Sequence, residues 1–295
     1  MSQALRLEMA KQKAETVLHN EGIMTLPVDP FAIAASHDIV VKAKPDTAEG
    51  VSGMLLRHGD VFGILYATHV PNEGFQRFSV AHELGHYFLD GHIDHVLPKN
   101  GVHTSFAGFI STDPYELEAD CFAASLLMPS GPFKRTTRRI DPGLAVIESL
   151  SKDCRTSLTA TAIRYAELTD DAVAVIISTG QTIDCCFLSK AMKLSPELTW
   201  PRKGSPVPAY TETAQLNAAP ERIMKSDREV NEVDVIDWLG GTKSVMVTEE
   251  VVGLGRYGKT LTILSSSSIG QEDEEEDAEE EDESIIEKWT PRFRR

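Results

Sequence analysis

Two histidines four residues apart, with a glutamate directly after the first, are the part of this sequence best suited to chemistry. They are His82, Glu83 and His86 in the segment FSVAHELGHYFLDGH, residues 78–92. Residues i and i+4 lie one turn apart on the same face of an α-helix, so both imidazoles can reach one metal ion. Glu83 lies about 100° round the helix, where its carboxylate can serve as a general base instead of a ligand. The pattern predicts a zinc site with an adjacent catalytic base, although so short a pattern also arises by chance between ordinary histidines.

A catalytic zinc ion needs a third protein ligand and leaves its fourth position to water. The later segment YELEADCFAASLLMP, residues 115–129, places Glu116 and Asp120 on one helix face. We expect Glu116 to be the third ligand and Asp120 to hold the far nitrogen of a ligand histidine. Two alternatives stay open at this stage. Glu118 can be the ligand, although it lies about 200° from Glu116 round the axis, or Glu116 is only the glutamate of a capping box that begins at Asp113.

Other histidines and cysteines fit metal ligation less well. His92 occupies the last position of the longer pattern HExxHxxGxxH, but Leu89 stands where that pattern has glycine. His95 and His103 fall in a segment predicted to be a loop, from which either can donate a hydrogen bond to a developing oxyanion. The first cysteine, Cys121, follows the histidine pair, so no upstream cysteine ligand of the kind found in peptide deformylases is present.

The two segments together resemble the ImmA/IrrE family of zinc metallopeptidases. Both FSVAHELGHYFL and ExEADxFAxxLLMP match the family pattern in order, and the likeness covers roughly residues 5–170. The resemblance implies a minimal zincin-like domain in which His82, His86 and Glu116 bind zinc and Glu83 is the catalytic base. It also implies a substrate class, namely helix-turn-helix transcriptional repressors that are cleaved to release their target genes.

The spacing of apolar residues predicts the helices and strands that position these residues. The pattern predicts a helix over residues 5–20, a short helix capped by Asp29, and strands over 39–43, 53–57 and 61–67, the last two joined as a hairpin. Helices are predicted over 75–89 and 114–128, followed by a helix pair within 143–168. The buried stripe of the helix over 114–128 is expected to be Leu117, Cys121, Ala124 and Met128.

The character of the sequence changes near residue 170. Two hairpin-like segments, residues 172–189 and 245–265, flank an irregular segment that contains several prolines. We therefore predict an α+β protein with three parts. These are the zincin-like domain over residues 1–170, a small strand-rich α+β domain over 172–268 with a sensory or regulatory role, and a disordered acidic tail over 269–295.

Composition narrows the class of protein further. The net charge is −16, but eleven of the twelve residues over 272–283 are acidic, so the rest of the chain is only mildly acidic. The sequence shows neither a signal peptide nor an apolar run of the roughly 20 residues needed to span a bilayer. Its four cysteines form no disulfide framework. We therefore expect a cytoplasmic protein that does not bind membranes.

A zinc-dependent endopeptidase is the function that these observations favour. The strand over residues 61–67 is the expected edge along which an extended substrate adds. The main alternative is a non-catalytic protein that sequesters a repressor, but such a protein does not need Glu83. A DNA-binding regulator is disfavoured, because the helix pair offers only Arg164 as a basic residue in SLTATAIRYAELT. The oligomeric state is not predicted.

Deleting residues 272–295 is expected to leave the melting temperature of the protein nearly unchanged. A densely charged segment with few apolar groups contributes little buried area to the folded state. Differential scanning calorimetry of the full-length and truncated chains measures the effect. A fall of many degrees would show that the final segment SIIEKWTPRFRR docks on the fold through groups such as Trp289.

Overall fold

The structure is a computed structural model that describes residues 2–44, 50–97, 101–106, 113–137, 140–194, 198–266 and 269. It confirms the predicted α+β class. Over residues 1–168 the helices and strands are α1 (Gln3–Asn20), α2 (Pro30–Ser36), β1 (Val40–Lys44), β2 (Val51–His58), β3 (Val61–Ala67), α3 (Glu73–Phe88), α4 (His92–Val96), β4 (Val102–Phe106), α5 (Pro114–Leu127), α6 (Ser130–Thr137), α7 (Leu144–Cys154) and α8 (Leu158–Leu168). The predicted acidic tail, apart from its first residue Ile269, lies outside the described residues.

The remaining helices and strands lie after residue 170, where the sequence predicts a change to a strand-rich region. They are β5 (Ala172–Thr179), β6 (Thr182–Leu188), α9 (Lys190–Leu194), α10 (Glu212–Asn217), α11 (Pro220–Met224), β7 (Arg228–Asp234), α12 (Val235–Leu239), β8 (Met246–Gly253), a 3₁₀ turn (Gly255–Tyr257) and β9 (Thr260–Ser266). None of the described helices is long and apolar enough to cross a membrane.

The first sheet has the strand order β1-β3-β2-β4. The predicted hairpin is present, since β2 and β3 pair antiparallel across a turn in which Gly59 has a φ of +62°. However, β3 is an inner strand, because β1 pairs with it in parallel on its other side. The prediction that residues 61–67 form a free edge is therefore wrong. The edges of this sheet are β1 and β4, and β4 lies in a segment that was expected to be a loop.

Helix α3 carries the HExxH segment and packs between the first sheet and α5. It begins where the Asn72 side chain accepts a hydrogen bond from the backbone N–H of Phe75. Gly85 allows close approach of the two helices, because a Cβ at this position would lie only 3.1 Å from the Cα of Ala119 on α5. The glycine in HELGH thus fixes how near α5 can come to the two histidines.

Helix α5 begins as predicted, with Asp113 accepting a hydrogen bond from the Tyr115 N–H and Pro114 in the first helical position. Of the predicted buried stripe, Met128 is fully buried, but the other three residues are wrong in phase. Leu117, Cys121 and Ala124 are only half-buried, whereas the fully buried residues include Ala119, Phe122, Ala123, Leu126 and Leu127. Helix α5 packs against both α1 and α3, so more than one of its faces is covered. A helix that is buried on two sides has no single apolar stripe to read.

The helix pair α7–α8 breaks at Arg155, which has a φ of +53°. Arg164 on α8 is buried, donates to the carbonyl oxygen of Met128 and forms an ion pair with Glu167. The one basic residue considered for DNA contact is thus used inside the fold.

The second sheet is antiparallel throughout, with the order β6-β5-β9-β8-β7. Both predicted hairpins are present, whereas β7 was not predicted. Alternate residues of β5 face two cores, since Val173 and Val175 join the large core of the preceding region and Ala174 and Ile176 join a smaller one beneath α9 and α12. The division of the chain near residue 170 remains a prediction, because the large core continues across it.

Candidate metal centre and active site

The side chains of His82, His86 and Glu116 converge on one point between α3 and α5. His86 is fully buried, and His82 is 6% exposed. The two Nε2 atoms are 3.1 Å apart. The Glu116 carboxylate places Oε2 3.2 Å from Nε2 of His82 and Oε1 3.3 Å from Nε2 of His86. Three potential ligand atoms from two different helices therefore face the same small volume.

This donor set fits a zinc ion both in chemistry and in spacing. Two imidazoles and one carboxylate are the protein ligands of a common class of catalytic zinc site. Atoms bound at roughly 2.0–2.1 Å to one tetrahedral ion lie about 3.3 Å from each other. The two Nε2 atoms lie 3.1 Å apart, and each lies 3.2–3.3 Å from one of the two Glu116 carboxylate oxygens, which agrees with that value. Among the described residues this is the group of histidine, cysteine and acidic side chains compact enough to hold a metal ion.

Asp120 lies where the sequence predicts it, behind His82. Its Oδ1 is 2.8 Å from Nδ1 of His82, one helical turn from Glu116 on α5. This contact leaves Nε2 of His82 facing Glu116 and fixes the plane of the ring. A carboxylate in this position orients a ligand histidine and increases its basicity.

Charge within the cluster is distributed unevenly. Burial alone would lower the pKa of His82, but its hydrogen bonds to Asp120 and Glu116 outweigh burial and raise that pKa to about 10. Burial lowers the pKa of His86 to about 3. Burial opposes ionisation of Glu116, but hydrogen bonds from His103, His82 and His86 outweigh it and hold the Glu116 pKa below its usual range. Without a metal ion, the cluster therefore keeps a proton on His82.

Glu83 is completely buried next to this cluster. Neither of its carboxylate oxygens has a hydrogen bond of normal geometry with a described residue. Burial raises the pKa of Glu83, and the neighbouring His82 and Ser105 oppose the rise. The side chain fits only because Gly53 on β2 faces it, since a Cβ there would lie 2.5 Å from Glu83 Oε1. A buried carboxylate with so few partners has no evident structural role, which is typical of a functional group.

His103 is a member of the cluster that the sequence analysis placed in a loop. It lies on the edge strand β4, where its Nε2 is 3.1 Å from Oε1 of Glu116 and its ring centre is 4.7 Å from that of His86. The signal that could have revealed it is the alternating segment VHTSF directly after Asn100 and Gly101, a turn pair followed by a strand pattern.

His92 and Glu118 form a second contact chain behind the cluster. The Nδ1 atoms of His86 and His92 are 3.1 Å apart, and Nε2 of His92 is 3.2 Å from Oε2 of Glu118. Arg6 on α1 forms an ion pair with the other oxygen of Glu118. Glu118 is therefore not among the converging ligand groups, and it contacts His86 only through His92. His92 lies behind His86 and not among the three converging ligand atoms.

His95, Tyr115 and Tyr165 have packing roles. The ring of His95 stacks on Tyr115 with centroids 3.7 Å apart, and the Arg6 guanidinium lies over the same tyrosine. Tyr165 is buried in the large core and donates to Asp171. Among the histidines expected in the loop, His103 is thus the one that faces the metal-binding cluster.

The architecture and the cluster together define a zincin-like domain, in which a small sheet supports two helices that supply the metal-binding groups. Residues 34–165 match the model of the IrrE N-terminal-like domain, Peptidase_M78. This match over residues 34–165 confirms the resemblance to the ImmA/IrrE family seen in the two motifs.

Comparison with solved structures extends the likeness to the fold of most of the chain. A Mycobacterium tuberculosis transcriptional regulator superposes with a TM-score of 0.54 and 15% sequence identity, over 88% of this chain and 76% of that chain. At this identity the match concerns the fold alone. No curated protein matches the sequence.

Proposed function

We propose that the protein is a zinc-dependent endopeptidase with His82, His86 and Glu116 as the metal ligands and Glu83 as the catalytic base. The observation that carries the proposal is the convergence of two imidazole nitrogens and the Glu116 carboxylate, with contacts of 3.1–3.3 Å, beside a buried carboxylate that has no other evident use. The family of residues 34–165 supports the same reaction class.

Glu83 performs the proton transfers in this mechanism. Bound zinc supplies a Lewis acid that polarises the scissile carbonyl and lowers the pKa of a water molecule. Glu83 takes a proton from the attacking water and returns it to the leaving amine. Its raised pKa brings the carboxylate closer to the pH at which it must both accept and release a proton. Asp120 and His92 hold the rings of His82 and His86 in place during these steps.

The substrate strand adds along β4 rather than β3. Strand β4 is an edge of the first sheet and carries His103 to within 3.1 Å of Glu116. An extended peptide that pairs with β4 passes directly over the metal-binding cluster. His103 then lies beside the scissile carbonyl, where it is the better placed of the two candidate oxyanion donors.

The proposed cellular substrate is a helix-turn-helix transcriptional repressor, cut to relieve repression in a stress response or in the control of a mobile element. The family resemblance implies this substrate class, and a substrate of this class implies a cytoplasmic location. Incubating the zinc-loaded protein with a helix-turn-helix repressor encoded beside its gene, followed by mass spectrometry, tests it. An intact repressor that binds the protein tightly would favour sequestration instead.

The region over residues 172–268 is proposed to regulate the peptidase. It contacts the beginnings of helices in the preceding region. Glu250 on β8 accepts a hydrogen bond from the Leu144 N–H at the start of α7. Tyr257 contacts Asn72, the residue that caps α3. A ligand or partner that moves this region can therefore act on the helix that carries both histidines.

Asp120→Ala is expected to weaken zinc binding by about 10–100-fold, because a ligand histidine loses the carboxylate that orients it. Glu118→Ala is expected to have a smaller effect, since Glu118 acts on His86 only through His92. Competition titration with a chelator measures both dissociation constants. Glu8→Ala, on the exposed side of α1, is the control and should bind zinc as the parent does. Equal affinities for all three variants would contradict this arrangement of contacts.

Zinc binding at pH 7 is expected to release about one proton per ion. His82 is protonated in the metal-free protein because its pKa is about 10, and a ligand imidazole must be neutral. The apparent affinity should therefore fall about tenfold for each unit that the pH is lowered within the range where His82 stays protonated. Isothermal titration calorimetry in buffers of different ionisation enthalpy counts the released protons. A count near zero would show that His82 is neutral before the metal binds.

A further inference from the structure

A pocket of about 130 Å³ opens directly beside His82 and Asp120. Ser52, Ser79, Thr156 and Ser157 contribute to its lining. Its apolar wall is formed by Phe75 and Phe78 of α3, Ala160 of α8 and Phe106 at the end of β4. None of these four residues is among the proposed metal ligands or the catalytic base. The pocket is thus a separate space that shares one wall with the metal-binding cluster.

The size and lining of this pocket select an apolar occupant. A cavity of about 150 Å³ lined by apolar side chains is large enough to take up benzene. A space of 130 Å³ therefore accommodates the side chain of leucine, methionine or phenylalanine. Its described charged groups, His82 and Asp120, bind each other at 2.8 Å. A charged side chain entering the pocket would lose its hydration and gain no free countercharge.

The position of the pocket relates it to the cleaved bond. His82 belongs both to the pocket wall and to the cluster over which the scissile carbonyl lies. Strand β4, along which the substrate is proposed to add, ends at Phe106, which is 65% exposed at the pocket mouth. Side chains of an extended peptide alternate between two directions, so a residue next to the cleaved bond can point into the pocket while the backbone follows β4.

We propose that this pocket is the main specificity pocket of the peptidase and that it takes a bulky apolar side chain, of the size of leucine, methionine or phenylalanine, from a residue flanking the cleaved bond. The inference rests on the proposed peptidase function and adds a substrate preference to it. Burying such a side chain favours its peptide over the alanine equivalent by about 10–100-fold in kcat/KM.

The test compares Ala160→Phe with the parent on quenched fluorescent decapeptides in which the residues flanking the bond are varied one at a time. The introduced ring fills the pocket, so the preference for leucine, methionine or phenylalanine over alanine should fall below about threefold, with alanine peptides still cut. Thr159→Phe adds the same side chain one residue earlier on α8, outside the pocket lining, and should keep the parent preference. Ala160→Leu should give an intermediate preference, and it replaces Ala160→Phe in the test if the phenylalanine lowers the melting temperature.

A parent enzyme without an apolar preference, or an unchanged preference in both Ala160 variants, would overturn the proposal. A binding measurement separates this failure from failure of the peptidase function. Zinc-loaded Glu83→Gln should bind the apolar decapeptides at least tenfold more tightly than the alanine decapeptides, and adding Ala160→Phe should remove the difference. If Glu83→Gln shows this binding preference but the parent protein cuts none of the peptides, the pocket is kept and the peptidase function is rejected. Equal binding of both peptide types would reject the pocket.

Discussion

Glu83→Gln is expected to bind zinc as the parent does and to lose peptide cleavage by about 10²–10⁴-fold, the contribution typical of a positioned acid–base group. Glutamine has nearly the same shape but cannot accept and return the proton. The melting temperature should stay unchanged or rise. The reason is that the carboxylate is fully buried, and burial outweighs the stabilisation of its charge by His82 and its other neighbours.

Glu249→Gln is the matched control for this variant, because Glu249 is also a fully buried glutamate. It accepts hydrogen bonds from the backbone N–H groups of Glu212 and Thr213 and from the Thr213 hydroxyl. Its replacement should cost stability, by about 1–3 kcal/mol, and leave cleavage intact. Calorimetry and a peptide assay on both variants check the opposite patterns. Full cleavage by Glu83→Gln would reject Glu83 as the base, and derepression of a target gene by this variant in cells would favour sequestration.

Glu116→Ala is expected to lose nearly all bound zinc, more than the 10–100-fold expected for removal of a group that only orients a ligand. The carboxylate contacts both His82 and His86 at 3.2–3.3 Å and carries the negative charge of the three converging groups. With alanine, the two imidazoles are the remaining protein ligands and no ligand carries a negative charge. Metal analysis of the purified variant after dialysis measures the loss.

Asp113→Ala is the control, because it tests the interpretation that Glu116 serves only to cap the helix. Asp113 accepts the capping hydrogen bond from the Tyr115 N–H at the start of α5. Its loss should cost about 0.5–2 kcal/mol of stability and leave zinc bound. If the Glu116 and Asp113 variants lose stability alike and both keep zinc, the capping interpretation holds and Glu116 is not a ligand.

The parts of the site that could be predicted from the sequence are those fixed by helix geometry within one segment. The positions of His82 and His86 on one face of α3, and of Glu116 and Asp120 on one face of α5, follow from the four-residue spacing alone. That α3 and α5 face each other was implied only by the family resemblance. In the structure this meeting depends on Gly85, whose missing side chain admits Ala119 of the opposite helix.

Features that depend on distant pairing were missed or wrongly predicted. The edge strand was assigned to residues 61–67 because the parallel pairing of β1 with β3 leaves no local signal in the sequence. His103 was placed in a loop because the strand pattern of VHTSF is short, and its pairing with the distant strand β2 was not predicted. The role of Glu118 was missed for a related reason. The angular position of Glu118 on α5 does not show that His92, on α4, connects Glu118 to His86.

Zinc-dependent cleavage of a proteome-derived peptide library tests the central claim most directly. The protein is stripped of metal, loaded with increasing amounts of zinc and incubated with the library, and mass spectrometry counts new peptide ends. We expect no cleavage without metal, cleavage in proportion to zinc up to one equivalent, and none after a chelator removes it. A protein that binds one equivalent of zinc and produces no new ends at any loading would contradict the assignment as a peptidase.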